Sequence, residues 1–118
     1  MAGAIFGLLG VALGAFGAHA LKATLLANNS LDTYELAVRY QFYHAFALLI
    51  IGLLMEKMRH ASLHFSAACM TIGILFFSGS LYAVAFKTVT FVVFLTPVGG
   101  LFLLVGWTLL ILALVKHK

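Results

Sequence analysis

Four apolar stretches divide the chain, separated by polar or turn-forming clusters. Ala2 to Leu21 is broken only by His19. About 20 helical residues at about 1.5 Å each cross roughly 30 Å of hydrocarbon. Asn28-Asn29-Ser30 then reads as a turn. Asp32 stands three residues before Glu35, a capping-box spacing with Asp32 as N-cap that predicts a helix over 33–58. Its early part carries Arg39, Gln41 and His44, so its wholly apolar part is short. A third helix is predicted over 62–86. Beyond Lys87-Thr88 comes the β-branched run Val89 to Val93. Two readings fit the last segment. One is a long tilted helix from Val89 to Val115, kinked at Pro97. The other makes Thr96 the N-cap and Pro97 the first residue of a helix over 97–115. The second is favoured, since it spans about 28 Å, and it leaves Phe91 to Leu95 as a short connection with an irregular turn. The expected fold is an all-α membrane protein, a bundle of four transmembrane helices (2–21, 33–58, 62–86, 97–115) forming one domain over residues 1–118.

The first segment has a competing reading. Ala18-His19-Ala20 has the form of a signal-peptide cleavage site. The basic n-region that should precede it is missing, so a retained helix is expected.

Composition agrees with a membrane. The chain is 64% hydrophobic and 8% charged, against roughly 25% charged in soluble domains. So short a chain could not cover its surface with polar side chains in water. The net charge of +4 comes from seven scattered Lys and Arg. No basic tract of the nucleic-acid kind is present, and no nucleic-acid partner is expected. Four crossings put both termini on one side, with Lys57, Arg59, Lys116 and Lys118. Lys22, Lys87 and Arg39 fall on the other. The positive-inside rule then predicts cytoplasmic termini, with Asn28 outside. Cys69 is the lone cysteine, which excludes an intrachain disulfide.

Gly3, Gly7, Gly10, Gly14 and Gly17 recur at spacings of four and three along the first helix. Such a seam lets another backbone approach closely where lipid supplies no hydrophobic drive. The third helix has a partial counterpart in Ser62, Ser66, Cys69, Gly73 and Ser80. The two seams are expected to face each other, or one of them to meet a second copy. Gly10→Leu should therefore harm assembly more than Leu9→Ala.

In depth, His19, Arg39, Gln41, His44, Ser78, Ser80, Tyr82 and Thr96 all fall toward the non-cytoplasmic half, with Gly99-Gly100 beside Thr96. The other half is aliphatic and aromatic apart from Ser66, Cys69 and Thr71. Intramembrane ionisable groups are functional suspects. The alternative is mutual hydrogen bonding, with Arg39 reaching headgroups and Tyr34, Tyr40 and Tyr43 forming an interfacial belt. Glu35 and Arg39 share a helix face, as do Tyr40 and His44. The first two read as an interfacial ion pair, while His44 has proton-relay chemistry. His19 and His44 without a nearby carboxylate or thiolate make a weak metal set, and Ser78 and Ser80 have no deep acid for a hydrolytic triad. No enzyme, metal or other cofactor is expected. Trp107, mid-helix, is expected to pack in the bundle.

Four motifs occur in order: Gly14-Ala15-Phe16-Gly17-Ala18-His19, Arg39-Tyr40-Gln41-Phe42-Tyr43-His44, Phe77-Ser78-Gly79-Ser80-Leu81-Tyr82, and Thr96-Pro97-Val98-Gly99-Gly100 followed by Gly106-Trp107. In these the chain resembles the small membrane proteins of domain-of-unknown-function 423, whose animal relatives are called transmembrane protein 256. The resemblance covers nearly the whole chain. It implies a bacterial inner-membrane protein of four helices, and it brings no activity, substrate or cofactor. The run Val89 to Leu95 departs from the more Gly-rich connection expected there. A structural or partner-binding membrane subunit is the leading expectation, with the lipid bilayer, a second copy or another membrane protein as partner. A transport component using the polar half is the alternative. No inverted repeat supports alternating access.

Overall fold

The structure is a computed structural model and describes residues 1–87 and 91–116. Val89 as a helix start and Lys118 as a topology marker lie outside the described residues. Every element within them is helical: α1 (Ala2–Ala18), α2 (Lys22–Ala27), α3 (Leu31–Lys57), α4 (Ala61–Ala85), a 3₁₀ turn (Phe91–Phe94) and α5 (Leu95–Lys116). The long helices pack in chain order, α1 on α3, α3 on α4, and α4 most extensively on α5. The body measures 52 × 26 × 16 Å, a flattened row of helices.

Helices α3, α4 and the continuous stretch Phe91–Lys116 are long and apolar enough to cross a membrane. Helix α1 is shorter, at 17 residues. Leu8, Val11, Phe46, Leu53, Phe65, Leu101, Leu104 and Ile111 all lie exposed on the outside. That exterior would be costly in water and suits lipid.

Three boundaries differ from the sequence expectation. The first helix stops at Ala18 rather than Leu21, and the Leu21 N–H turns back to the Phe16 carbonyl at 2.8 Å. The short α2 follows because Leu25 is buried completely, beside Tyr34 and Ala85. Helix α3 begins at Leu31, with Ser30 as N-cap and no side-chain cap bond. The expected box of Asp32 and Glu35 does not form. The Ser30 hydroxyl instead donates to the Ala85 carbonyl at 2.5 Å, and the Asn28 amide reaches the same oxygen at 3.4 Å. These donors satisfy a carbonyl at the end of α4 that has no partner within its helix. Asn29 takes a left-handed conformation (φ 54°) in that turn, which Asn adopts more readily than most residues. At the other end, α5 starts at Leu95, directly after the 3₁₀ turn. Pro97 thus sits within the first turn, where its missing N–H costs no helical bond.

The small-residue seams do not face each other. The α1 seam meets α3, and that of α4 meets α5. A Cβ on Gly3 would lie 2.7 Å from the Ala45 carbonyl oxygen, one on Gly10 2.9 Å from the Phe42 ring, and one on Gly17 inside the Tyr34 ring. Gly7 has nothing within 4 Å, and Gly14 only an ordinary contact with Val38. The tightly packed glycines thus recur every seven residues, so only alternate members of the seam press closely on α3. On the other side, a Cβ on Gly73 would strike Leu103, and one on Gly106 would strike Met70. Gly99 sits directly against the backbone of Phe77. The larger core cluster, including Leu48, Ile51, Met70, Ile74, Leu103 and Leu110, fills the spaces between α3, α4 and α5.

Candidate functional site

The predicted polar residues split into two groups with different surroundings. In the first, Gln41 joins three helices. Its Nε2 donates to the Phe6 carbonyl of α1 at 2.7 Å, and its Oε1 accepts from the Tyr82 hydroxyl of α4 at 2.6 Å. One turn earlier on α3, the Ala37 carbonyl accepts from the Ser78 hydroxyl at 2.8 Å. Ser80 donates to the Phe77 carbonyl at 2.9 Å and shares a hydrogen bond with the Thr96 hydroxyl, tying α4 to the start of α5. Among the described residues, no buried side-chain nitrogen or oxygen lacks a partner. Gln41, Ser78 and Tyr82 border only a small cavity of about 170 Å³.

Tyr34 belongs with this group rather than with an interfacial belt. It is 1% exposed, and its hydroxyl donates to the Leu13 carbonyl of α1. Its ring stacks edge-on against Tyr82 and Phe86, at 5.3 and 5.9 Å between centroids. Gly17 makes room for it. A glycine one helix away is not visible as its partner from sequence spacing alone.

The second group surrounds His44. The Trp107 indole N–H donates to His44 Nε2 at 3.0 Å, and His44 Nδ1 lies 2.7 Å from the Tyr40 carbonyl. An indole nitrogen can only donate, so Nε2 must be the accepting nitrogen. The proton of the neutral ring therefore sits on Nδ1 and is given to Tyr40. The Tyr40 ring stacks on His44 as their shared face predicts, and packs 4.8 Å from Phe77. This group lines a groove of about 730 Å³ between α3 and α5, with Phe77 of α4 between its walls. Pro97, Gly100, Leu103 and Leu104 form the α5 wall, Tyr40, Tyr43 and His44 the α3 wall. Trp107 is 41% exposed, at the groove rather than in the core. A mid-helix Trp was the available signal, because an indole N–H in hydrocarbon needs an acceptor.

Two predicted members join neither group. His19 is exposed at the end of α1. Arg39 is exposed and borders a separate cavity of about 210 Å³ with Glu35. Neither side chain makes a hydrogen bond or ion pair among the described residues, so the Glu35–Arg39 pair is not formed. The predicted residues thus form no single connected cavity. Gln41 and Tyr82 meet directly, while His44 faces the groove.

The fold and its apolar exterior define the class: a helical multi-pass membrane protein. A family model described as "Protein of unknown function (DUF423)" matches residues 13–100. The chain is 37% identical over 114 residues to the UPF0382 membrane protein SERP0230 of Staphylococcus epidermidis, covering 97% of this chain and 92% of that protein. It is 36% identical over 115 residues to the UPF0382 inner membrane protein YgdD of Escherichia coli K12, covering 98% and 87%. The chain belongs to the DUF423 family. No solved structure matches it.

Proposed function

We propose that the protein is a non-catalytic structural or partner-binding subunit of the inner membrane, with four crossings and both termini in the cytoplasm. The observation that carries the role is where the buried polar groups are spent. Gln41, Tyr34, Ser66 and Ser78 each donate to a backbone carbonyl of a neighbouring helix. Such bonds hold helices together, and the single donor hydrogens of Tyr34, Ser66 and Ser78 are all used in them. The fourth crossing rests on α1, whose 17 residues reach about 26 Å. Its packing on α3 from Gly3 to Gly17 supports a helix that runs alongside α3 through the bilayer. The orientation rests on Lys57, Arg59 and Lys116 at one end against Lys22, Arg39 and Lys87 at the other, with Lys118 added to the first.

Cysteine labelling tests the topology. In a background lacking Cys69, a cysteine replacing Asn28 should react with an impermeant reagent in intact cells. Cysteines replacing Lys57 or Lys118 should react only after permeabilisation. Labelling of position 57 in intact cells overturns the orientation, and a mature mass shortened after Ala20 overturns the crossing count. The subunit role is read from the mass of the complex in mild detergent. A homo-oligomer or a co-purifying membrane protein is expected, and a lone monomer overturns it.

A further inference from the structure

We propose that the cavity between α1 and α3 holds the headgroup of a zwitterionic phospholipid, its phosphate on Arg39 and its primary ammonium on Glu35. The cavity has a volume of about 210 Å³, with Gly14, Gly17 and Ala18 of α1 on one wall and Tyr34, Glu35 and Arg39 of α3 on the other. That is below the range of about 300–1,000 Å³ for drug-sized ligands, so it admits a headgroup and not a whole lipid. The Tyr34 hydroxyl is already given to the Leu13 carbonyl, and the exposed His19 and Lys22 lie outside the lining. The polar side chains left to a ligand are therefore one carboxylate and one guanidinium. Both are exposed, and neither has a partner among the described residues, although they stand four residues apart on one helix face. An anion alone would leave Glu35 unmatched, and a cation alone would leave Arg39 so. A ligand carrying both charges answers both.

The two charges also stand in the right order of depth. From Tyr40 to Met55, α3 carries no Asp, Glu, Lys or Arg, a run of about 24 Å by helical rise that fits within the hydrocarbon core. Arg39 marks the edge of that run, and Glu35 lies about 6 Å further toward water. In a phosphoethanolamine lipid the phosphate joins the glycerol, and the ammonium lies beyond it, further from the acyl chains. The cation thus meets the inner, negative group and the carboxylate the outer, positive one. A guanidinium suits phosphate oxygens, and ammonium hydrogens give charge-assisted bonds to a carboxylate. Inward from Arg39, Phe42, Phe46, Leu49 and Leu53 follow on the same face at spacings of three and four. The Phe42 and Phe46 rings stack at 6.2 Å between centroids, and Phe46, Leu49 and Leu53 are exposed, an apolar track for an acyl chain. A second copy fits less well, because a two-fold axis along the membrane normal sets Glu35 level with Glu35 and Arg39 level with Arg39. This inference needs only that α1 and α3 lie in the bilayer. It stands whether or not the subunit role and the orientation hold.

Native mass spectrometry of the full-length protein in mild detergent tests it, titrating phosphatidylethanolamine against phosphatidylglycerol, which has the phosphate without the ammonium. Wild type should retain one saturable phosphatidylethanolamine per chain and hold it about tenfold more tightly than phosphatidylglycerol, the effect of one hydrogen bond between charged groups. Glu35→Gln should bring phosphatidylethanolamine down to the level of phosphatidylglycerol and leave the latter no weaker. Arg39→Gln should weaken both severalfold. Gly14→Leu should abolish saturable binding, since a Cβ there makes only an ordinary contact 3.5 Å from Val38 and the rest of the side chain fills the cavity. Ala18→Leu, at an exposed position in the lining, should do the same and serves if the first variant does not fold. Equal binding of the two lipids by wild type, or equal loss of both in Glu35→Gln, overturns the ammonium assignment. Undiminished binding in Arg39→Gln overturns the phosphate assignment, and undiminished binding in the cavity-filling variants overturns the site. Displacement of the lipid by an equal concentration of chain-free glycerophosphoethanolamine gives the cavity to a soluble solute and overturns the lipid. A dimer that dissociates in Glu35→Gln gives the charges to a second copy and overturns the proposal.

Discussion

The α4–α5 and α1–α3 interfaces are both built on glycine, but they use it against different things. At α4–α5, Gly99 lies against the backbone of Phe77, and Gly73 against both the side chain and the backbone nitrogen of Leu103. At α1–α3, Gly10 and Gly17 lie against the rings of Phe42 and Tyr34. Backbone in a helix cannot give way without moving the whole helix, whereas a ring can turn about its χ angles. The first interface is therefore a rigid close approach, whereas the second is one only at Gly3, against the Ala45 carbonyl oxygen, and is otherwise a pair of sockets for aromatic side chains. The difference predicts that equal substitutions have unequal costs.

Gly99→Ala carries the largest expected loss. Its new Cβ would overlap the Phe77 backbone, and the expected destabilisation is about 3 kcal/mol, the upper part of the overpacking range. Unfolding in detergent followed by circular dichroism measures it. A loss no larger than that of Gly10→Ala would erase the distinction between the interfaces. Gly10→Ala should cost about 1 kcal/mol, because the Phe42 ring, 2.9 Å from the new Cβ, can shift. Gly10→Leu adds bulk the ring cannot clear and should exceed Leu9→Ala, whose side chain is 46% exposed.

Tyr82→Phe sharpens the comparison from the polar side. It removes the donor to Gln41 Oε1 and should cost about 1 kcal/mol, as interhelical hydrogen bonds in bilayers do. Because Gln41 also holds Phe6, loosening should appear as faster amide exchange in α1 and leave the α4–α5 contact unchanged. Exchange rising equally in α5 would contradict separate interfaces. The smallest effect belongs to Gly7→Ala. Open space surrounds that position, and replacing helical Gly by Ala should leave stability unchanged or raise it by up to about 1 kcal/mol. A loss there would mean that the second half of the seam is packed after all.

Much of the site was legible in the residues, though not its arrangement. Helical depth placed Gln41, Ser78 and Tyr82 at one level, and their direct bonds follow from that level and from the cost of stranded polar groups in lipid. The shared face of Tyr40 and His44 follows from helical periodicity. Depth could not separate His44 from that group, because direction around the helix decides which neighbour a side chain meets. Nor could it assign Tyr34 to the interior. Its hydroxyl fits the interfacial pattern equally well until Gly17 is known to lie beside it.

The sequence by itself determined the solvent, the long apolar helices and the family. Low charge, long apolar runs and the scarcity of turn residues leave lipid-embedded helices as the structure that satisfies its own backbone. Tertiary structure alone decided which seam meets which helix, that only every seventh residue of the glycine seam packs tightly, and that α3 and α5 stand apart over Phe77 to leave a groove. Those choices depend on side-chain shapes interlocking across segments far apart in the chain. A repeating pattern of small residues records that a close approach exists, while the partner is set by whichever surface fits it.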